Sequence, residues 1–269
     1  AHTTFLVHGF GVWSLRLLPD RLDATQSIMT MSAEAKAGLF AARRDISEDR
    51  IFVARTGIDA DRLTPGPRPA GLLPWNPSDG PIFGTAGRFS GEKGLPAMVH
   101  ILSIVQRTHP RARLMFVGGC DPTSAPGHVA HWTQWRAHLD QAIAAHGLSG
   151  SVWIAGMVDD VVPYYRAMDA FWIASDVEDL PLVVLEAMSC GIPVVSTDVG
   201  AIPTVLRNGG GTCVHKQGGS ISEPEMEDFA AQAVAAALDP HRTAVGMAGR
   251  DTILRSYSLG QLFEHVHRH

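Results

Sequence analysis

Two glutamates, Glu178 and Glu186, stand eight positions apart in the stretch EDLPLVVLEAMSCGIPVVSTDVG, residues 178–200. Leu182, Val183, Val184, Leu185, Ala187 and Met188 are apolar all the way round a helix, which predicts burial on every side. Glu186 is the only charge in that segment. A carboxylate is costly to bury alone, so Glu186 calls for a protein cation or the hydroxyls of a bound ligand. Pro181 fits the first helical position, which leaves Glu178 in the loop before a helix N-terminus, where N–H groups and the dipole favour anions. Glu178 is itself an anion, so it is expected to face a ligand hydroxyl or a positive charge. A second constellation is GRFSGEKG, residues 87–94, where Arg88 and Lys93 offer two prongs for a diphosphate. It is not a P-loop, because Glu92 separates Gly91 from Lys93 and no Ser or Thr follows the lysine. Alone, such a turn reads more readily as a solvated surface loop; beside two carboxylates it reads as half of a binding site.

These residues need elements to position them. Short β-branched runs alternate with longer helical patterns, the signature of βαβ units and a parallel sheet. The expected strands are Pro81–Ala86, Arg113–Val117, Ser151–Ala155, Ala170–Ala174, Pro193–Thr197 and Gly211–His215. The expected helices are Leu95–Thr108, Val129–His146, Val161–Met168, Leu182–Cys190, Ile202–Arg207, Pro224–Leu238 and His241–Tyr257. In open sheets of this kind the ligand sits outside the carboxyl ends of the strands, where Gly87–Gly94, Gly118–Gly119, Gly156 and Glu178 all fall. The Pro- and Gly-rich stretch 56–80 reads as a linker. Before it lie strands at Thr4–Val7, Gln26–Met31 and Arg50–Ala54 and a helix at Ala33–Ala42, an α/β piece too short for a complete domain. The expected organisation is a partial N-terminal segment (1–57), a linker (58–80), a Rossmann-like domain with helices on both faces (81–257) and a tail (258–269).

Composition limits the function classes. The chain has 269 residues, 45% apolar and 18% charged, with a formal net charge of −5, which gives no support to nucleic-acid binding. No apolar stretch reaches the length of a membrane span and no signal peptide is evident, and three unpatterned cysteines suit reduced thiols, so a cytoplasmic setting is expected.

Together, TGID (Thr56–Asp59), GRFSGEKG, RLMFVGG, SVWIAGMV, DAFWIAS and the E-x7-E segment followed by GIPVVSTDVGAIP resemble the retaining glycosyltransferases of family 4, which have the two-domain GT-B fold. The resemblance covers roughly residues 26–269. It implies that the C-terminal domain binds a nucleotide-sugar donor (UDP-, GDP- or ADP-linked) and that the N-terminal domain holds a carbohydrate, lipid-linked or small-molecule acceptor. It implies roles as well: Arg88 and Lys93 neutralise the diphosphate, Glu186 accepts from ribose hydroxyls, and Glu178 faces the transferred sugar. The N–H groups of Leu182 and Val183 meet a phosphate, with Gly87 beside it, and Gly156 and Met157 border the base. No metal is expected, because Arg88, Lys93 and the helix dipole stabilise the departing diphosphate.

Three departures from the family pattern stand out. Asp179 replaces a common Gly, Pro181 removes a backbone donor, and Ala201 stands where a second Gly is frequent. Most of an acceptor domain is also missing from this sequence. A second reading therefore stays open, a donor-binding GT-B-like module that needs a partner or the missing half, as does a sucrose-type synthase or phosphorylase on the same fold. Peripheral membrane association is not visible in the sequence.

Other motifs read as structural. LVHGFGVW (Leu6–Trp13) and the segment around Ser189 loosely resemble the oxyanion turn and nucleophile elbow of a hydrolase, but Ser189 ends a helix where an elbow would open one. In the glycosyltransferase reading His8 could touch acceptor, or equally be a satisfied loop histidine. Asp59 and Asp61 read as surface acids, and His128, His131 and His138 as an exposed helix face without metal-ligand spacing. Trp132 and Trp135 read as packing residues.

Overall fold

The structure, a computed structural model, describes residues 3–7, 23, 26–53, 56–119 and 126–268. A small parallel sheet comes first, with strands β1 (Thr3–Val7), β2 (Gln26–Thr30) and β3 (Ile51–Val53) side by side, and helix α1 (Ala33–Ala42) between the last two. Ser32 caps α1, its hydroxyl accepting from the Ala35 N–H at 2.9 Å.

The main unit alternates strand and helix: β4 (Ile82–Gly87), α2 (Leu95–Gln106), β5 (Arg113–Gly118), α3 (Pro126–Ala145), β6 (Val152–Gly156), α4 (Val162–Ala167), β7 (Ala170–Ile173), α5 (Leu182–Ser189), β8 (Val194–Thr197), α6 (Ile202–Leu206) and β9 (Gly211–Val214). Helices α7 (Glu223–Leu238), α8 (Arg242–Ser256) and α9 (Leu259–Arg268) follow. The six strands are parallel in the order β6-β5-β4-β7-β8-β9. The chain therefore builds outward from β4 through β5 and β6, then crosses back to lay β7 on the other side of β4. That reversal, between the carboxyl ends of β4 and β7, is the place where an open α/β sheet forms a crevice.

Why these runs become strands is visible in their burial. β7 and β8 are buried at every position because helices cover both faces, whereas β6 and β9 at the edges are partly exposed. On one face Phe83, Phe116, Trp172 and Phe229 pack with α2, α3 and α7; on the other Met115, Phe171, Tyr165 and Leu185 pack with α4, α5, α6 and α8. Trp132 and Trp135 pack against the first of these cores, as the sequence suggested.

At the amino ends of the central strands a buried carboxylate gathers three chain segments. Asp169 accepts from the backbone N–H of Ile82 (2.8 Å), from Arg68 (2.7 Å) and from Arg242, which ties the linker and α8 to the feet of β4 and β7. The linker is thus docked on the main unit.

The two sheets meet beside Glu178. The Ser32 hydroxyl donates to Asp179 Oδ1 at 2.6 Å, and Thr204 donates to Glu34 at 2.6 Å. A cavity of about 450 Å³ lies next to these contacts, lined by Ser32, Glu34, Leu180, Thr204 and Tyr257 among others. Two details differ from expectation. Pro181 is the N-cap of α5, with φ −71° and ψ 116°, and the helix begins one residue later, since proline without an N–H also suits a position outside the first turn. Residues 259–268, read as tail, form α9, whose start is pinned by a hydrogen bond from the Leu259 N–H to the Ile58 carbonyl at 3.0 Å. No helix among the described residues is long and apolar enough to cross a membrane.

Candidate functional site

At the β4/β7 reversal lies a cavity of about 180 Å³ whose wall includes Gly87, Arg88, Lys93, Ser175, Glu178, Leu182 and Val183. It is built by two loops fastened to each other. After β4 the chain makes a tight turn over Gly91–Lys93, and the N–H of Asp176, in the loop after β7, donates to the Glu92 carbonyl at 2.7 Å. Gly94 closes the turn with φ +63°, and a Cβ there would sit 2.1 Å from the Ala174 carbonyl oxygen, so only glycine lets the loops approach this closely. The Glu92 side chain braces the same turn by accepting from the Ser90 hydroxyl at 2.6 Å. Burial pushes the Glu92 carboxyl up, but the Ser90 hydrogen bond, a backbone hydrogen bond, Lys93 and Arg88 together outweigh it and hold the group below its ordinary value.

The loop clasp brings opposite charges together. Lys93 Nζ lies 2.6 Å from Glu178 Oε1, which also accepts from the Ser175 hydroxyl at 2.7 Å. The Glu178 side chain is only 8% exposed, so the sequence expectation of a partner for it is met by a lysine of the same site. Its Oε2 has no donor among the described residues. Arg88 is exposed and makes no hydrogen bond or ion pair with the described residues, which leaves its guanidinium fork available at the cavity mouth. Across from it begins α5. Leu182 and Val183 line the cavity, and their N–H groups have no acceptor among the described residues, whereas the Val184 N–H already donates to the Pro181 carbonyl at 3.1 Å. Leu182 is 41% exposed, against the expectation of burial all round, because the first turn of α5 faces this opening.

Glu186 does not line the cavity. One turn into α5 it is half-buried, and its Oε2 accepts a hydrogen bond from the Tyr165 hydroxyl at 2.6 Å. Of the two partners expected for it, a protein cation or ligand hydroxyls, no cation bonds to it among the described residues; a neutral phenol holds one oxygen. Gly156 and Met157 lie at the carboxyl end of β6, two strands from β4, and Met157 is 59% exposed. Between them and the cavity, a Cβ on Gly118, which has φ +122°, would meet the Gly87 carbonyl oxygen at 2.1 Å, so the ends of β4 and β5 are pressed together by paired glycines. His8 lies outside the described residues.

Sequence reasoning missed Ser175, Tyr165 and the partner of Asp179. The serine and tyrosine carry no motif signal, and Ser32 is 147 positions from Asp179. The motifs set aside are accounted for by contacts. Ser189 is buried and its hydroxyl donates to the Leu63 carbonyl at 2.6 Å, so it is no nucleophile. Asp59 Oδ1 accepts from the N–H groups of Asp61 and Arg62, an exposed turn. His138 stacks edge-on against Trp135, while the side chains of His128 and His131 lie outside the described residues. Cys190 and Cys213 are unpaired thiols, pushed up by burial to about 12 and about 11; Cys120 lies outside the described residues.

The family model described as glycosyl transferases group 1 matches residues 80–239. Over 254 residues the chain is 26% identical to the alpha-maltose-1-phosphate synthase of Mycolicibacterium smegmatis, an alignment of 90% of this chain and 62% of that protein. It is 27% identical over 212 residues to the GDP-mannose-dependent alpha-(1-6)-phosphatidylinositol monomannoside mannosyltransferase of the same organism, covering 75% of this chain and 51% of the relative. The chain thus spans about half to six tenths of the length of these relatives. Among solved structures, Anabaena HepE in complex with UDP and glucose superposes with a TM-score of 0.80 at 18% identity, over 98% of this chain and 70% of HepE. The fold is therefore the GT-B-like α/β arrangement that the resemblance implied.

Proposed function

Because the chain belongs to the glycosyl transferases group 1, family 4 of the glycosyltransferases, we propose that it binds a nucleotide-sugar donor at the β4/β7 cavity and moves the sugar to an acceptor with retention of configuration. The observation that carries this reading is the convergence of Arg88, Lys93, Glu178 and the open N-terminus of α5 on one cavity at the sheet reversal. Arg88, Lys93 and the N–H groups of Leu182 and Val183 hold the diphosphate, the cationic role going to these groups and not to a metal. The anomeric carbon–oxygen bond breaks with its electron pair leaving on the diphosphate. The acceptor hydroxyl oxygen bonds to the anomeric carbon on the same face, and its proton passes to the departing phosphate oxygen. Glu178, held through Oε1 by Lys93 and Ser175, keeps Oε2 for the hydroxyls of the transferred sugar and the positive charge that develops on its ring. The lysine ammonium has three donors, so it can keep Glu178 and reach a phosphate oxygen together. Glu186 accepts from the ribose, and Gly156 and Met157 border the base.

A second reading rests on chain coverage. The chain spans 62% of one relative and 51% of another, which supports a module that binds the donor and needs a partner or further sequence to complete the acceptor side. Donors named for relatives bear on the nucleotide: one relative is GDP-mannose-dependent and HepE was crystallised with UDP. The test is calorimetric titration with UDP, GDP and ADP, followed by transfer assays with the matching nucleotide sugars. Saturable binding of one nucleotide, weakened at least about tenfold by Arg88→Ala through loss of a charge-assisted contact, is expected. Absence of binding to all three would overturn the reading. Binding without transfer would favour the module.

A further inference from the structure

The partner that the fold gives Glu186 is a neutral phenol. No guanidinium or ammonium bonds to it among the described residues. Arg62, which feels the charge of Glu186, is committed to Asp160 at 2.8 Å. Instead Tyr165 donates its single hydroxyl hydrogen to Oε2 at 2.6 Å, which leaves Oε1 without a donor among the described residues. Tyr165 is itself fully buried, in α4, with its ring against Phe171 at 5.7 Å between centroids, so its hydroxyl has one fixed place to point. Burial, with Glu186 beside it, pushes the phenol well above its ordinary value, and it remains a donor at any working pH. A rigid buried phenol that occupies one oxygen and offers no charge does two things to a carboxylate. It fixes the rotamer, and it leaves the carboxylate without a neutralising counter-charge, so the other oxygen stays a charged acceptor.

Resting on the reading of Glu186 as the ribose acceptor, we propose that Tyr165 is a positioning residue that holds Glu186 with Oε1 presented to the ribose hydroxyls of the donor. Selectivity for a ribose-bearing nucleotide then belongs to the Tyr165–Glu186 pair and not to the glutamate alone. A cation in the same place would instead neutralise the carboxylate and weaken its grip on a neutral diol.

The experiment measures Kd for UDP, GDP and ADP, and for their 2′-deoxy and 3′-deoxy counterparts, on the unmodified chain and on Tyr165→Phe, Glu186→Gln and Glu186→Ala, with thermal melting of each as a fold control. The unmodified chain is expected to prefer the ribonucleotide over at least one deoxy form by about tenfold or more, the size of a hydrogen bond to a charged group. Tyr165→Phe should weaken the ribonucleotide while leaving the deoxy form unchanged, cutting the preference to within about threefold. Glu186→Gln keeps an oxygen to accept from Tyr165 but loses the charge, and should cut the preference similarly. Three results would overturn the proposal. If Tyr165→Phe weakens ribo and deoxy forms equally, the tyrosine is only structural. If Glu186→Ala abolishes the preference and Tyr165→Phe leaves it intact, the positioning role fails and the ribose reading stands. If the unmodified chain shows no ribose preference, the ribose reading fails and the proposal with it.

Discussion

Ser32→Ala tests how firmly the small sheet is fastened to the loop that carries Glu178. Ser32 is buried and has two jobs: its oxygen accepts from the Ala35 N–H at 2.9 Å as the cap of α1, and its hydrogen goes to Asp179 Oδ1 at 2.6 Å. Loss of the cap alone costs about 1 kcal/mol. Loss of a hydrogen bond to a charged group adds about 1.5–3 kcal/mol, and here nothing among the described residues replaces it, because Asp179 Oδ2 is already buried without a partner. The substitution should therefore destabilise by about 2.5–4 kcal/mol in total. Asp179→Gly removes the half-satisfied carboxylate together with the bond and should be close to neutral. In that background Ser32→Ala should cost only the cap, about 1 kcal/mol. The double-mutant cycle thus predicts a coupling of about 1.5–3 kcal/mol, readable from urea unfolding together with hydrogen exchange of the α1 amides, which report the docked helix if the two sheets open separately. Additivity within about 0.5 kcal/mol would refute the coupling and show that the two halves are held by something else.

Asp169→Ala should destabilise by about 3–5 kcal/mol, since it strands the Arg68 and Arg242 guanidinium groups and the Ile82 amide at a site where the carboxylate is buried; the urea midpoint checks this, and a shift under 1 kcal/mol, about one third of the lower figure, would contradict it. Glu225 accepts from the N–H groups of Ser222 and Gln217 at the start of α7, hydrogen bonds that with others lower its carboxyl from 4.5 to about 2. A depressed acid stabilises in full above its unfolded value and loses that contribution as pH falls, so Glu225→Gln should be less stable than the parent at pH 6, with the gap closing between 4.5 and about 2. A gap independent of pH would show that the charge plays no part.

The alternation of β-branched runs and helical patterns was enough to place all six strands of the main sheet and the loops at their carboxyl ends; inner strands such as β7 and β8, covered on both faces, advertise themselves as apolar runs. Arg88, Lys93 and Glu178 were legible for a related reason: each lies in the loop that follows such a run, so locating the strand end also locates the charges at the rim of the crevice. What stayed hidden were pairings between distant positions. Nothing at Tyr165 signals that its hydroxyl will meet Glu186, and nothing at Ser32 signals Asp179. Leu182 looked like core because periodicity cannot tell a buried helical turn from one that opens on a crevice. Residues 259–268 looked like tail because Gly260, His265 and His267 weaken the local helix signal, whereas the contact with Ile58 is tertiary.

The Asp169 junction sits at the amino ends of β4 and β7, the same two strands whose opposite ends frame the cavity. Anchorage and recognition are thus separated by the length of a strand. Substitutions in the loops at the cavity end leave the Asp169 junction that secures the main sheet untouched, whereas changes at the anchored end bear on whether the fold persists and not on its choice of ligand. A lineage drifting over such a frame can acquire new substrates at one rim while the other rim stays under purely structural constraint.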